Sequence, residues 1–350
     1  DLVANGLRDE DGNLLPAYFR NVRVFNLGLS VYVHALPVTL FGKTVLVVRA
    51  TSVLVGLLGT AALMLALKWF FALRLWWAGG LVMATLPAWF LHSRTAFETA
   101  MMVGFYATFV LAYLLYREAS AWWAGAAIAC GAATFYSYSN GQGVMFVTCL
   151  LLLIVDWRYH WQVVTRHRGA TAAAAIALIL VAAPYLRFRF QLHPEMMELH
   201  LQDLSSYWTE DLPTVAKLER FAGTYLRGLS PSYWFTEDQL ELERHRMLGY
   251  PHLPVWLAPP LLLGLAVSLL RAPRSAAHRL LLIGVLAAPF SASLVALRIT
   301  RLLAMVVPAT LAATVGLEQL RSCAARLLPA RWLGIALGLG LTAAAGAMTR

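Results

Sequence analysis

The sequence predicts an all-α polytopic membrane protein, and three observations carry that prediction. Of the 350 residues, 60% are hydrophobic and only 13% are charged, with a mean hydropathy of +0.65. A soluble domain is ~45–50% apolar and ~25% charged, so one aqueous core cannot hide this much apolar surface. The apolar residues also fall in runs of membrane-spanning length. The basic residues, finally, favour alternate connections between those runs.

A spanning helix needs about 20 apolar residues, within a range of about 17–25. Ten segments reach or approach that length: roughly 45–66, 75–91, 97–116, 120–137, 142–156, 170–186, 254–270, 279–295, 302–319 and 332–348. An eleventh run, 26–41, carries Asn26, His34 and Pro37 and follows Arg20 and Arg23. Two readings fit it. It is a helix lying flat at the headgroup boundary, where His34 and Pro37 are tolerated, or it is a plain eleventh span. The flat reading is preferred.

Loop charge sets the orientation. With 26–41 flat and the chain starting outside, the short loops on one side hold Lys68, Arg74, Arg117, Arg158, Arg166, Arg168, Arg271, Arg274, Arg279, Arg321, Arg326 and Arg331. Those on the other hold only Arg94, Arg298 and Arg301. Arginine resists translocation, so the rich side is cytoplasmic. This placement also accounts for the net charge of +10 and the pI near 9.8 without a nucleic-acid partner. Within a single transmembrane domain, 1–350, two stretches then lie on the external side: a first periplasmic loop, 1–44, and a larger one, about 187–253. The larger loop is aromatic and proline-broken, and its segment 212–227 reads as an amphipathic surface helix. The three cysteines, Cys130, Cys149 and Cys323, form neither a disulfide framework nor a metal-type spacing. Alanine-rich helices with arginine in excess of lysine fit a GC-rich bacterial gene, and hence a bacterial inner membrane. The chain opens on Asp1 without an initiator methionine, and is read as a piece of a longer protein.

Four clusters at the external ends carry candidate chemistry. Arg94 and Glu98, in HSRTAFETAMM, are four residues apart and share a face if that turn is helical. They read either as an anion site with a flanking carboxylate or as an interfacial ion pair. Tyr136, Tyr138, Asn140 and Gln142, in YSYSNGQ, read as a sugar or phosphate pocket, or as an aromatic belt closed by the Asn140–Gly141 turn. Arg298 and Arg301 bracket a third turn. They suit a lipid-linked phosphate, to which arginine offers parallel hydrogen bonds, or they snorkel toward headgroups. In RDEDGNLLP, the carboxylates Asp9, Glu10 and Asp11 read as oxygen ligands for a divalent cation or as a solvated turn. All four clusters fall on one side of the membrane, as an external active site fed from the bilayer would require.

In order along the chain, RDEDGNLLPAYF, then FGKTVLVVRATS, HSRTAFE and YSYS, resemble polytopic glycosyltransferases of the GT-C fold. The resemblance is to the bacterial form of the dolichyl-phosphate-mannose protein mannosyltransferase family. Residues 225–257 are similar to the large external loop of that group, and ITRLLAMVVPATLAA to its late helix. The resemblance implies a bundle of about ten transmembrane helices with interfacial helices and a larger periplasmic loop. It further implies transfer of a sugar, mannose-like, from a polyprenyl-phosphate donor to a hydroxyl on a protein, lipid or glycan acceptor. Under it, Arg94 holds phosphate and Glu98 orients Arg94 or the acceptor. Tyr136 and Tyr138 line the sugar pocket with Arg301, Asp9 and Glu10 nearby, and a divalent metal assists in some relatives. The family's Asp-Glu pair ends a first helix that lies upstream of the RDEDGN-like stretch, so the resemblance places the general base before Asp1. Two other classes fit the same composition: a transporter or flippase for a lipid-linked sugar, which requires polar groups at mid-membrane depth, and a catalytically degenerate assembly subunit.

Overall fold

The computed structural model describes every residue except 1, 4, 22, 23, 193, 194, 238–240, 327–334, 336, 337 and 340–350. The expected last span, 332–348, therefore falls almost wholly outside the described residues. The chain opens with an antiparallel hairpin, β1 (Tyr18–Asn21) and β2 (Val24–Leu27), in register Tyr18↔Leu27. Among the described residues, nine α-helices then run to the large loop: α1 (Leu29–Phe41), α2 (Val45–Trp69), α3 (Ala78–Ala84), α4 (Pro87–His92), α5 (Glu98–Glu118), α6 (Ala124–Ser137), α7 (Ser139–Val155), α8 (Trp157–Arg166) and α9 (Arg168–Arg187). The loop carries α10 (Met196–Asp203), α11 (Thr214–Leu229) and α12 (Pro231–Phe235). The described chain closes with α13 (Ala258–Arg271), α14 (Ala276–Ala287), α15 (Ile299–Leu302) and α16 (Val306–Ala324).

Among the described residues, five helical runs are long and apolar enough to cross a bilayer: Val45–Trp69, Glu98–Glu118, Arg168–Leu192, Ala276–Leu294 and Ile299–Ala324. A sixth is gained if α7 and α8 count as one span. The segments expected at 120–137 and 254–270 are helical but shorter. The predicted span 75–91 is not one helix. It divides into α3 and α4 at Thr85–Leu86, because Leu86 precedes Pro87 and is held extended at ψ 116°, as the proline ring demands of its neighbour. The expected helix at 142–156 ends at Asp156, where the chain bends by 78° into α8.

Close backbone approach holds the bundle together. A Cβ on Gly59 of α2 would fall 2.7 Å from Gly104 Cα on α5, and one on Gly104 would fall 2.7 Å from the Val55 carbonyl. At the α13–α16 crossing, a Cβ on Gly264 would strike the Ala312 carbonyl, and one on Gly316 the Pro260 carbonyl. Small residues allow such contacts where lipid removes the hydrophobic drive between helices. Helix α16 is the centre of the bundle and is buried nearly throughout. Helix α9 is exposed nearly throughout, with Ile176, Leu178, Ile179 and Leu180 facing outward. Buried hydroxyls inside the helices mostly bond back to their own turns: Thr51 to Val47 O, Thr134 to Cys130 O, and Thr310 to Val306 O.

Charge divides the bundle into two ends. At one, Asp156 accepts from Tyr113 (2.8 Å), Arg117 (3.1 Å) and Arg279 (2.6 Å) while itself buried. Glu318 binds Arg321 and accepts the Leu75 amide at 2.9 Å, and Lys68 lies over the Trp76 ring. These are residues of the arginine-rich loops, and they gather as the loop count requires. The other end holds Glu98, Tyr138, Arg298 and Arg301. The thirteen residues of α1 span about 20 Å, short of a ~30 Å hydrocarbon core. One ring nitrogen of His34 lies 2.7 Å from Ser30 O and the other 3.1 Å from Val48 O, which ties α1 to α2. An isolated two-stranded hairpin is marginal. This one is anchored by Tyr18, which stacks on Phe188 at 4.0 Å and accepts a hydrogen bond from Gln142 at 2.8 Å.

Candidate functional site

Glu98 is the first residue of α5, where a carboxylate is favoured by the helix dipole. Its Oε1 lies 3.5 Å from Ser30 Oγ on α1. Tyr138 sits in the extended link between α6 and α7 (φ −152°, ψ 144°), which turns its side chain off both helices. Its hydroxyl faces Thr300 and the Arg301 guanidinium, with Glu98 also within electrostatic reach. Burial raises the Tyr138 phenol above its ordinary value, so it is a neutral donor at physiological pH. Arg301 donates to Ala296 O at 2.6 Å and has Arg298 and Glu241 as charged neighbours. The N-terminus of α15 is fixed by Glu241, a buried carboxylate of the large loop whose Oε1 accepts the Ile299 amide at 2.5 Å. A carboxylate satisfying the first orphan amide of a helix is a cap supplied from 58 positions away in sequence. The result is a cationic cluster flanked by two carboxylates and a phenol.

Of the candidates expected from sequence, the structure brings Glu98, Tyr138 and Arg301 together. Arg94 and Glu98 do not share a helix face: α4 ends at His92, and residues 95–97 are not helical. Arg94 instead lies exposed over the Phe90 ring at 4.7 Å. Tyr136 points away from Tyr138. Its hydroxyl donates to Val181 O at 2.6 Å and accepts the Tyr185 amide at 3.1 Å, joining α6 to α9. Asn140 is buried, and its carbonyl accepts from Ser291 at 3.0 Å. Asp9 uses both carboxylate oxygens on Asn13, at 2.7 and 3.0 Å, Asp11 pairs with Arg20 at 3.1 Å, and Glu10 is exposed. These three carboxylates do not converge, and among the described residues no group of three or more His, Cys, Asp or Glu is set to hold a metal.

The sequence matches no family model and no curated protein. The fold is similar to that of ArnT from Cupriavidus metallidurans, whose crystal structure is bound to undecaprenyl phosphate. The TM-score is 0.55 at 18% identity, over 91% of this chain and 53% of that one. The likeness is one of fold: an all-α polytopic membrane architecture of the GT-C type. The chain spans about half the length of ArnT.

Around this cluster lie groups that sequence reasoning missed. His200 on α10 is pushed below its ordinary value, first by burial and then by the nearby Arg301 charge against an opposing pull from Asp203. Another face of α10, with Met197, Glu198 and Leu201, lines a cleft of about 600 Å³ completed by Arg189, Trp208, Thr209, Glu210, Asp211 and Lys217. Mixed donors, acceptors and one indole suit a hydroxyl-rich ligand better than a bare ion. The loop that shapes the cleft is tied to the bundle where Ser206 Oγ donates to Leu294 O at 2.6 Å and Tyr207 OH donates to Ser293 O.

His92 and His245 stack at 5.6 Å, 15° from parallel, with Phe97 edge-on to His245 at 5.9 Å. Burial lowers both, and His245, which also feels His92 and Arg244, is pushed down to about 4. The sign follows from linkage. Unfolded chains bind protons near the ordinary value of 6.5, whereas the folded pair resists them. Stability contributed by the neutral rings is therefore complete above about 6.5 and is lost as pH falls toward 4. The melting temperature is expected to drop across that window. His245→Phe keeps a ring on His92 without the proton site and should flatten the drop; an unchanged pH dependence would contradict this.

Proposed function

We propose that this chain is the membrane part of a glycosyltransferase that moves a sugar from a polyprenyl-phosphate donor to an acceptor hydroxyl, at the periplasmic face of a bacterial inner membrane. The observation that carries the reading is the convergence of Arg301, Tyr138 and Glu98 at the arginine-poor end, on a fold shared with a protein whose crystal structure is bound to undecaprenyl phosphate. Orientation follows from the rich end being cytoplasmic.

The chemistry follows from the charges. The acceptor oxygen attacks the anomeric carbon, the bond from that carbon to the phosphate oxygen breaks, and negative charge grows on the departing polyprenyl phosphate, which takes up the proton that the hydroxyl gives up. Arg301, with Arg298 beside it, stabilises that charge, and fixed donors act most strongly where charge develops. Tyr138 donates to the phosphate or the sugar. Glu98, steadied by Ser30, orients the acceptor hydroxyl. Arg94, over Phe90 at the rim, meets the incoming headgroup, and Tyr136 holds α6 in place behind Tyr138. Asp9 and Glu10 belong to the first external loop, 1–44, beside the site. The cleft of about 600 Å³ along α10 holds part of the acceptor that extends beyond the reacting hydroxyl. Mannose is the sugar favoured by the motif resemblance. Polar groups gathered at the helix ends, with mid-helix hydroxyls bonded to their own turns, support surface chemistry rather than passage.

The test is transfer of labelled sugar from an undecaprenyl-phosphate-linked donor by the protein in nanodiscs. Glu98→Gln keeps the size and loses the charge. It should slow transfer by about 10²-fold or more, on the scale of a positioned carboxyl group. Equal rates in Glu98→Gln and wild type, or donor flux across liposomes without transfer, would overturn the reading.

A further inference from the structure

Helix α8 is the strongest unexplained feature of the molecule, and it belongs to the end opposite the proposed active site. It leaves α7 at 78°. With α7 crossing the bilayer, α8 lies close to the membrane plane. The bend is fixed by Asp156, which sits between the two helices and is held by Arg117 and Arg279.

At about 100° per residue, the ten residues of α8 divide into three faces roughly a third of a turn apart. The first packs on the bundle: Val163 is buried, Tyr159 OH donates to Tyr116 O, and a His160 ring nitrogen lies 3.0 Å from Tyr116 OH. The second is apolar yet uncovered, with Trp157 58%, Trp161 64% and Val164 48% exposed. The third is exposed and polar, made by Arg158, Gln162, Thr165 and Arg166. A helix buried in protein needs one apolar face, and a surface helix in water also needs one. A second apolar face turned away from the bundle, beside a basic one, fits a helix that touches protein, lipid and water at once.

Two further observations place the bilayer boundary here. Trp122 and Trp123, at the start of α6, are also exposed, and a Cβ on Gly169 just after α8 would lie 3.7 Å from the Trp122 ring. They continue a belt of indoles at one level, where tryptophan concentrates. Residues 157–168, WRYHWQVVTRHR, contain three arginines, Arg158, Arg166 and Arg168, and no acid. That balance recruits anions.

We propose that α8 is an interfacial helix that binds anionic phospholipid headgroups through Arg158 and Arg166 while Trp157 and Trp161 enter the acyl boundary beneath them. The site is independent of the proposed transferase site.

The experiment uses the whole chain with its three cysteines replaced by alanine, reconstituted in phosphatidylcholine with phosphatidylglycerol. Nitroxides are placed at two exposed neighbours, Trp161→Cys and Gln162→Cys. The label at 161 should collide preferentially with oxygen and the label at 162 with a water-soluble nickel chelate. Native mass spectrometry of nanodiscs should then show retained phosphatidylglycerol falling by about tenfold in Arg158→Gln/Arg166→Gln, since each arginine near an anionic surface adds measurably to binding. Equal nickel accessibility at both labels would overturn the proposal, because a lipid-facing side would not exist. So would unchanged phosphatidylglycerol retention in the double variant.

Discussion

Asp156→Ala is expected to cost the bundle about 3–5 kcal/mol, the scale for removing one partner of a buried ion pair. Its side chain is 4% exposed, and those of Arg117 and Arg279 are 16% exposed each. Removing the carboxylate leaves two guanidinium groups facing one another without the buried acid they share, and Tyr113 OH without its acceptor. It also frees the bend between α7 and α8. Unfolding of the purified protein in mixed micelles measures the effect. Glu118→Ala, an exposed acid beside the same cluster, is the control and should stay within about 0.5 kcal/mol of wild type. Asp156→Asn keeps a hydrogen-bond acceptor for Tyr113 but not the charge, and should fall nearer to alanine than to wild type. A loss for Asp156→Ala no greater than that of the control would show that the cluster is not a structural hub.

Arg301→Ala is expected to lower transfer by about 10²–10³-fold, the usual consequence of deleting one preorganised donor to developing charge. The loss should exceed that of Arg94→Ala, because Arg94 lies exposed over Phe90 whereas Arg301 is enclosed by Tyr138, Arg298 and Glu241. Arg301→Lys tests whether charge or geometry matters. Lysine carries a point charge and cannot present the guanidinium fork, so it should recover only a minor part of the rate. Arg301 also donates to Ala296 O at 2.6 Å, so the thermal stability of each variant is measured beside transfer, to separate a lost rate from a lost fold. A rate fully restored by lysine would reduce Arg301 to a source of positive potential.

The membrane architecture was legible in the sequence because lipid imposes simple demands: runs of a set length, and arginine on one side. The sorting of Arg117, Arg279 and Arg321 from Arg298 and Arg301 follows directly from those demands. The break in 75–91 was written in Leu86–Pro87 but masked by continuous hydropathy. The α7–α8 bend was not visible, since Asp156 reads as an ordinary loop acid until Arg117 and Arg279 reach it. In the candidate site, Arg301 and Glu98 stood out as charges beside apolar runs. Spacing misplaced Arg94 relative to Glu98, because the i, i+4 rule holds only inside a helix and Phe97 is extended at ψ 142°. Tyr136 and Tyr138 looked equivalent in YSYS. They separate because one is helical and fixed to α9 while the other lies in the extended link. Glu241 had no local signal: its role as a cap for α15 arises from a contact that only the folded chain makes.

Binding of undecaprenyl phosphate to the purified chain in nanodiscs tests the central claim most directly, since it asks whether Arg301, Tyr138 and Glu98 form a lipid-phosphate site without requiring turnover. Saturable binding is expected, weakening at least tenfold in Arg301→Ala and far less in Glu10→Ala on the outer loop. Absence of saturable binding, or equal affinity in wild type and Arg301→Ala, would contradict it.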